Sequence, residues 1–235
     1  MLKLIAFSKK RLQDIESTSM DDRKKSHNMV FAITAVQEIC ETHKDITEFD
    51  MIFCTGEGEI GQTFEFYKNM ANGERARPLV FQNSLHNSTL GALSLAISKA
   101  SSGITVSNGD LSCEMSLDMA LTSKSSRPLL IIGTDVYNDK ILEIRENYYK
   151  GKVDLVSGAC AALFLPETSP LFKTHSGPVL ADINITKLKE SHSEHFSSYY
   201  PANGLEAICE KLQTSLSFTI NRPKNYQVKI SAQAL

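Results

Sequence analysis

Apolar residues recur along the chain at two spacings, one typical of helices and one typical of buried strands. Helical spacing predicts helices over residues 26–43, 60–71, 91–100, 111–122 and 205–212. Short apolar or β-branched runs predict strands over residues 49–54, 103–107, 128–132, 179–186 and 226–230. Because strands alternate with helices, the pattern indicates an α/β layered fold with a mainly parallel, buried sheet.

Polar or small-residue segments interrupt this pattern at four places. Thr55–Gly58 follows a predicted strand and is typical of a tight glycine turn. The polar stretch Phe81–Asn87 precedes a helix and is able to cap it. Residues 154–165 run from small residues into a strand-like end. Asn108–Asp110 is a sharp turn, and Asp110 is a favourable N-cap for the helix that follows.

Composition and charge are those of an ordinary globular protein, with 42% hydrophobic and 22% charged residues. The length of 235 residues fits one domain over residues 1–235. A net charge of −2 gives no attraction to nucleic acid or to an anionic membrane surface. No apolar run approaches the roughly 20 residues of a membrane span. The charged stretch Asp21–Lys25 after Met1–Lys10 argues against a signal peptide, so we expect a cytoplasmic protein.

The cysteines lack any spacing typical of metal ligands, and we expect them to be free thiols in a reducing compartment. They are Cys40, Cys54, Cys113, Cys160 and Cys209. The glycine turn lacks a phosphate-binding pattern, and Glu57 and Glu59 would repel phosphate. We therefore expect no metal and no cofactor.

Taken together, these segments resemble the N-terminal half of β-ketoacyl synthases, which have the thiolase fold. The similarity is closest to the short ketosynthase-like proteins called chain-length factors that accompany aryl-polyene biosynthesis. Thr55–Gly58 resembles the first sheet-to-helix turn of the family, and Phe81–Asn87 resembles its Phe-x-x-Ser-Val-His-Asn segment. Residues 154–165 resemble the glycine-alanine segment that ends the N-terminal half. The resemblance covers residues 28–190 and implies half of a thiolase-like fold.

The resemblance implies that the catalytic residues are absent. In active ketosynthases this turn presents a cysteine at a helix N-terminus, where the helix dipole lowers the thiol pKa and the thiolate attacks an acyl thioester. Counting forward from Asn87, the family's cysteine falls on Asp110, which cannot form a thioester. The two active-site histidines of the family have no matching segment around His175, His192 or His195.

Cys113 is the alternative nucleophile because it follows Asp110 in the first turn of the predicted helix. Three residues along a helix rotate a side chain by about 300° and shift it by about 4.5 Å, so we expect a buried structural thiol instead. Two alternatives remain open. One is a stand-alone acyltransferase or thioesterase that uses Cys113 or a serine such as Ser84, although no GxSxG motif is present. The other is a homodimeric carrier-protein-binding scaffold.

By resemblance, a further set of residues is expected at an acyl tunnel or a subunit interface. The set is Phe64, Phe66, Ser84, His86, Asn87, Ile104, Thr105 and Val106. Core packing of the phenylalanines and backbone bonding by His86 and Asn87 are the favoured alternatives. Ketosynthases dimerise through the strand before the nucleophile turn, and an unpaired apolar edge needs a cover. The expected partners are a catalytic β-ketoacyl synthase, in a heterodimer, and an acyl carrier protein. The expected function is a non-catalytic subunit that shapes the tunnel in aryl-polyene, polyketide or fatty-acid-like biosynthesis.

Overall fold

A computed structural model describes residues 1–11, 25–75, 77–137, 139–149, 157–189, 201–222 and 226–233. Within these ranges the strands are β1 (Leu2–Arg11), β2 (Phe49–Cys54), β3 (Ala100–Val106), β4 (Leu129–Asp135), β5 (Gly158–Pro166), β6 (Val179–Lys187), β7 (Ser217–Arg222) and β8 (Tyr226–Gln233). The helices are α1 (His27–Thr42), α2 (Ile60–Ala71), α3 (Pro78–Asn83), α4 (Ser88–Ala96), α5 (Ser112–Thr122), α6 (Asp139–Tyr149) and α7 (Pro201–Thr214). Short 3₁₀ turns occupy Gly109–Leu111 and Pro170–Lys173.

The described strands form one mixed eight-stranded sheet in the order β3-β2-β4-β5-β1-β6-β8-β7. This confirms the α/β class and the mixed sheet. The expectation of mainly parallel pairing is wrong, because only β2 pairs in parallel, with β3 and with β4. The other five neighbour pairs are antiparallel. An uninterrupted apolar run shows that a strand is buried on both faces but does not reveal its direction.

Helices cover both faces of the sheet. On β4, Leu129 and Ile131 pack on the face that carries α5 and α7, whereas Leu130 and Ile132 pack on the face that carries α1 and α4. This alternation follows from the twofold period of a strand. Every residue of β4 and β5 is buried, which places these strands at the centre of a three-layer arrangement.

Most predicted elements are confirmed, with local errors. The helix predicted over 91–100 is wrong in its bounds, since α4 spans Ser88–Ala96 and β3 already begins at Ala100. The sequence did not predict β1, α6 or β7. Residues 154–156, His192, His195 and most of the charged stretch at 21–25 lie outside the described residues.

The functional interest lies at the edge where the parallel strands β2, β3 and β4 end. Their carboxyl ends lie side by side, so the turns that follow them meet at one edge of the sheet. These turns are Thr55–Gly58 after β2, Asn108–Leu111 after β3 and Val136–Tyr137 after β4. Among the described helices, none has the length and apolar content that a membrane crossing needs.

Candidate functional site: the acidic turn between β3 and α5

Asp110 lies in the turn that joins β3 to α5, where the sequence predicted it. The turn begins with Gly109, whose φ of 54° favours glycine because a side chain would be strained there. Asp110 is the second residue of the 3₁₀ turn and is only 9% exposed. A carboxylate therefore sits buried just ahead of α5, at the position predicted to correspond to the family's cysteine.

The prediction that Asp110 caps α5 is wrong. The N-cap residue is Leu111, whose side chain makes no capping bond, because the 3₁₀ turn separates Asp110 from α5. Ser112 makes the local hydrogen bonds instead. Its Oγ accepts from the Asn108 N–H at 2.7 Å and donates to the Thr55 carbonyl at 2.9 Å. These bonds tie the turn after β3 to the turn after β2.

Asp135, the last residue of β4, forms the centre of this edge and was missed by the sequence analysis. It is 1% exposed and accepts hydrogen bonds from Thr55 Oγ1 at 3.2 Å and from the Gly56 N–H at 3.1 Å. Burial raises the pKa of Asp135 well above its usual range, the nearby charge of Asp110 raises it further, and hydrogen bonds from Gly56, Thr55 and Ala202 oppose the shift. The signal for Asp135 in the sequence was a single acidic residue at the end of an apolar run.

Cys113 lies in the first turn of α5, as predicted, but in an environment that suppresses its reactivity. Cys113 is 1% exposed, and burial raises its pKa well above the ordinary value. A hydrogen bond with Cys54 and the charge of Glu114 raise the pKa further. The thiolate is the nucleophilic form, so desolvation here outweighs the helix dipole. Cys113 has the properties of a structural thiol.

Glu114, the next residue, is completely buried and forms an ion pair with Arg222 from β7. Their side chains are 0% and 2% exposed, and Arg222 Nε lies 2.5 Å from Glu114 Oε1. The buried carboxylate of α5 is thus neutralised from the opposite edge of the sheet. The pair links the hairpin of β7 and β8 to the helix that follows the acidic turn.

His86 lies against the glycine turn. Gly58 has a φ of 61°, and a Cβ built there would lie 2.6 Å from His86 Nδ1, so only glycine leaves room for the ring. Ser84 Oγ donates to the Phe81 carbonyl at 2.7 Å. Asn87 occupies the N-cap position of α4, but its side chain makes no capping bond. The structure therefore brings the glycine turn and the 81–87 segment together.

The predicted tunnel and interface residues on α2 and β3 are exposed or half-buried. Helix α2 buries none of its residues, and Phe64 is 41% exposed. The centroid of the Phe66 ring lies 5.4 Å from the centroid of the Phe81 ring on α3. Strand β3 forms an edge of the sheet, with Ile104 45% exposed and with Thr105 and Val106 half-buried. Over the described ranges, no group of three or more metal-ligating side chains is present.

Comparisons with known proteins agree with this architecture. One of the solved structures, a ketosynthase (ApeO) in complex with its chain length factor (ApeC) from Xenorhabdus doucetiae, includes a chain that is 18% identical, with a TM-score of 0.71 and 98% of each chain covered. The structure of AntDE:AntF, a type II PKS acyl-carrier protein in complex with its ketosynthase bound to the hexaketide, gives 10% identity and a TM-score of 0.69, covering 100% of this chain and 99% of that one.

The ishigamide ketosynthase/chain length factor gives 9% identity and a TM-score of 0.57, covering 72% of this chain and 51% of that one. At these identities the likeness establishes a ketosynthase-like, thiolase-type fold. No curated protein matches the sequence. The family model for the β-ketoacyl synthase N-terminal domain matches residues 10–224, which is most of the chain. The chain therefore belongs to the β-ketoacyl synthase N-terminal domain family.

Proposed function

We propose that this chain is a non-catalytic ketosynthase-like subunit of the chain-length-factor type. It pairs with a catalytically active β-ketoacyl synthase and shapes the tunnel in which that enzyme extends an acyl chain. The observation that carries the proposal is Asp110, buried in the turn between β3 and α5. A carboxylate there cannot form the acyl thioester that a cysteine forms, so the partner must supply the nucleophile.

The edge at β3 supports a partner at this side of the molecule. An open edge strand with exposed apolar side chains is a liability unless another chain covers it. Ile104 on β3 is 45% exposed, Leu95 at the end of α4 is 92% exposed, and Met119 on α5 is 44% exposed. An apolar surface of this kind marks an interaction site more often than a solvated face. We assign Ile104, Thr105 and Val106 to the subunit interface.

The exposed aromatic residues of α2 and α3 support a role in bordering the tunnel. Phe64 and Phe81 are 41% and 53% exposed, and the ring of Phe81 packs at a tilt against that of the half-buried Phe66. The segment between α3 and α4, which carries the remaining tunnel candidates, lies beside the glycine turn. These candidates are Ser84, His86 and Asn87.

Among the solved structures that resemble this chain, one pairs a ketosynthase with its chain length factor and another pairs a carrier protein with its ketosynthase. We extend this to the present chain and propose an acyl carrier protein as a further partner of the complex. The pathway class would be aryl-polyene, polyketide or fatty-acid-like biosynthesis. The five free cysteines suit a cytoplasmic location.

The alternative of an independent acyltransferase or thioesterase is less well supported. Cys113 is buried and its pKa is raised. Ser84 Oγ donates to a backbone carbonyl, and no base among the described residues is hydrogen-bonded to it. Neither residue has the nucleophile-and-base arrangement that covalent catalysis requires.

Co-expression with a ketosynthase encoded beside this chain's own gene tests the proposal. We expect a heterodimer that stays intact in size-exclusion chromatography at micromolar concentration. Ile104→Lys should separate the subunits, because a lysine on the edge strand opposes strand pairing. Ile144→Lys is the matched control, since Ile144 on α6 is exposed to a similar degree, 48% against 45%. Separate elution of the wild-type proteins, or a homodimer of this chain alone, would contradict the proposal.

A further inference from the structure

A cavity lies on the opposite side of the same sheet edge from α5. The chain leaves β2 toward α2 and the β3 side of the sheet, whereas it leaves β4 toward α6 and the β5 side. Parallel strands whose continuations diverge in this way create a crevice, and ligands of α/β proteins commonly bind in such crevices. The crevice holds a cavity of about 360 Å³, which is within the range of small-molecule sites. Its walls are the first turns of α1 and α2 and the segment Val136–Tyr137.

Glu59 is the buried polar group of this cavity, and no step of the proposed function uses it. It is 4% exposed, and its Oε1 accepts from Ser26 Oγ at 2.8 Å and from Thr89 Oγ1. Burial raises the pKa of Glu59, and hydrogen bonds from Thr89, Ser26 and Asn28 oppose the shift. A carboxylate has about four acceptor positions on two oxygens, so these three donors still leave capacity for a ligand.

Hydrogen-bond donors lie next to this acceptor. Glu59 holds the N-cap position of α2, but its side chain makes no capping bond. The N–H groups of Gly61 and Gln62, in the first turn, have no acceptor within the helix. In the part of the chain that the structure describes, neither N–H is bonded to another protein group. Both residues line the cavity together with Glu59, so an acceptor and two donors belong to residues that border the same space.

We propose that this cavity binds a small neutral ligand that presents an amide edge. The ligand N–H is donated to Glu59, and the ligand carbonyl accepts from the first turn of α2. Charged groups are less complementary, because a carboxylate would meet Glu59 and an ammonium would meet the positive ends of two helices. Val136 and Tyr137 supply the less polar wall for the remainder of the ligand. The proposal does not depend on the subunit role proposed above.

Titration of the ¹⁵N-labelled full chain with N-methylacetamide tests it by NMR. We expect saturable shifts of the Gly61 and Gln62 amide signals. Methyl acetate, which has the same shape but no N–H, should bind at least about tenfold more weakly, equivalent to about 1.4 kcal/mol. Acetate and methylammonium are the charged probes and should also bind more weakly. An equal or stronger response to any of these three, or no saturable response to the amide, would overturn the proposal.

A pair of glycine variants separates the cavity from general surface effects. A Cβ built at Gly61 or at Gly91 meets no atom within 4 Å, so Gly61→Leu and Gly91→Leu should both fold. Gly61 lines the cavity, whereas Gly91 lies on α4 away from it. We expect Gly61→Leu to weaken amide binding at least about tenfold and Gly91→Leu to leave it unchanged. Unchanged binding in Gly61→Leu would place the amide elsewhere and overturn the assignment.

Discussion

The two ends of the sheet differ in what they contribute. At one end, the parallel strands β3, β2 and β4 carry the turns that define a ketosynthase-like site, with Asp110 at the position we assign to the nucleophile. At the other end, the antiparallel strands β6, β8 and β7 contribute no such turn but send Arg222 into the core beside α5. The first end carries the turn that we propose corresponds to the catalytic turn of the family, and the second end supplies the counter-charge to Glu114 in the helix that follows it. The ion pair between Glu114 and Arg222 therefore links the two ends.

Removing the charge from the hairpin should have the largest effect. Arg222→Met leaves Glu114 buried without a counter-charge, which we expect to lower the free energy of unfolding by about 3–5 kcal/mol. The double variant Glu114→Gln/Arg222→Met should recover most of that loss, because it removes both charges. Chemical denaturation of the wild type and the two variants measures this difference. Equal destabilisation in the single and double variants would mean that packing, and not charge, connects the two ends.

The glycine turn at the first end is sensitive for a steric reason. Gly58→Ala places a side chain at a positive φ and against His86, and we expect a cost of about 2–4 kcal/mol from the two effects together. Gly73→Ala is the matched control, because Gly73 has a φ of 71° and open space around its Cβ position. The difference between the free energies of unfolding of the two variants, measured with denaturant, gives the cost of the His86 contact. Adding His86→Ala to Gly58→Ala should remove that difference, and an unchanged difference would argue against the contact.

A smaller, pH-dependent effect is expected at Asp135. Its pKa is raised in the folded state, so the folded protein holds a proton that the unfolded chain releases above a pKa of about 3.9. The raised pKa of Asp135 therefore has no effect on the free energy of unfolding below that pH. As the pH rises above it, the free energy of unfolding falls, by about 1.4 kcal/mol in all for each unit by which the folded-state pKa is raised. Asp135→Asn keeps an acceptor for Thr55 and Gly56 and avoids this loss.

The thermal unfolding temperature of Asp135→Asn should thus rise relative to that of the wild type between pH 4 and pH 8. Asp182→Asn, at an exposed position on β6, serves as the control and should show no such trend. A gain for Asp135→Asn that is the same at every pH would show that the carboxyl is not held in its protonated form.

The sequence predicted the first end of the sheet better than the second. Strand β2 and helix α2 were placed with their observed bounds, since their apolar runs end at a glycine turn and at Ala71. At the second end, β7 was missed. In the middle of the sheet, β1 was missed because it carries Lys9, Lys10 and Arg11, whose charges are unusual in a strand and are paired in the structure with acidic side chains. These pairs join residues far apart in the chain, so local pattern cannot reveal them.

The site was predicted in position but not in detail. Asp110 was placed from its distance to Asn87 and from the resemblance, and the structure puts it in the expected turn. Its capping role was wrong because a 3₁₀ turn precedes α5, and a single inserted turn leaves no clear mark in the sequence. Asp135 was missed because its importance comes from burial and from contacts with Thr55 and Gly56, which are 80 and 79 residues away.

The central claim is that this chain takes part in acyl-chain synthesis without forming an acyl intermediate itself. Its most direct test is to incubate the purified heterodimer with an acylated carrier protein and to measure the intact mass of each subunit. The account predicts an acyl adduct on the ketosynthase partner and none on this chain. An acyl adduct on this chain, mapped to Cys113 or to a serine, would contradict it.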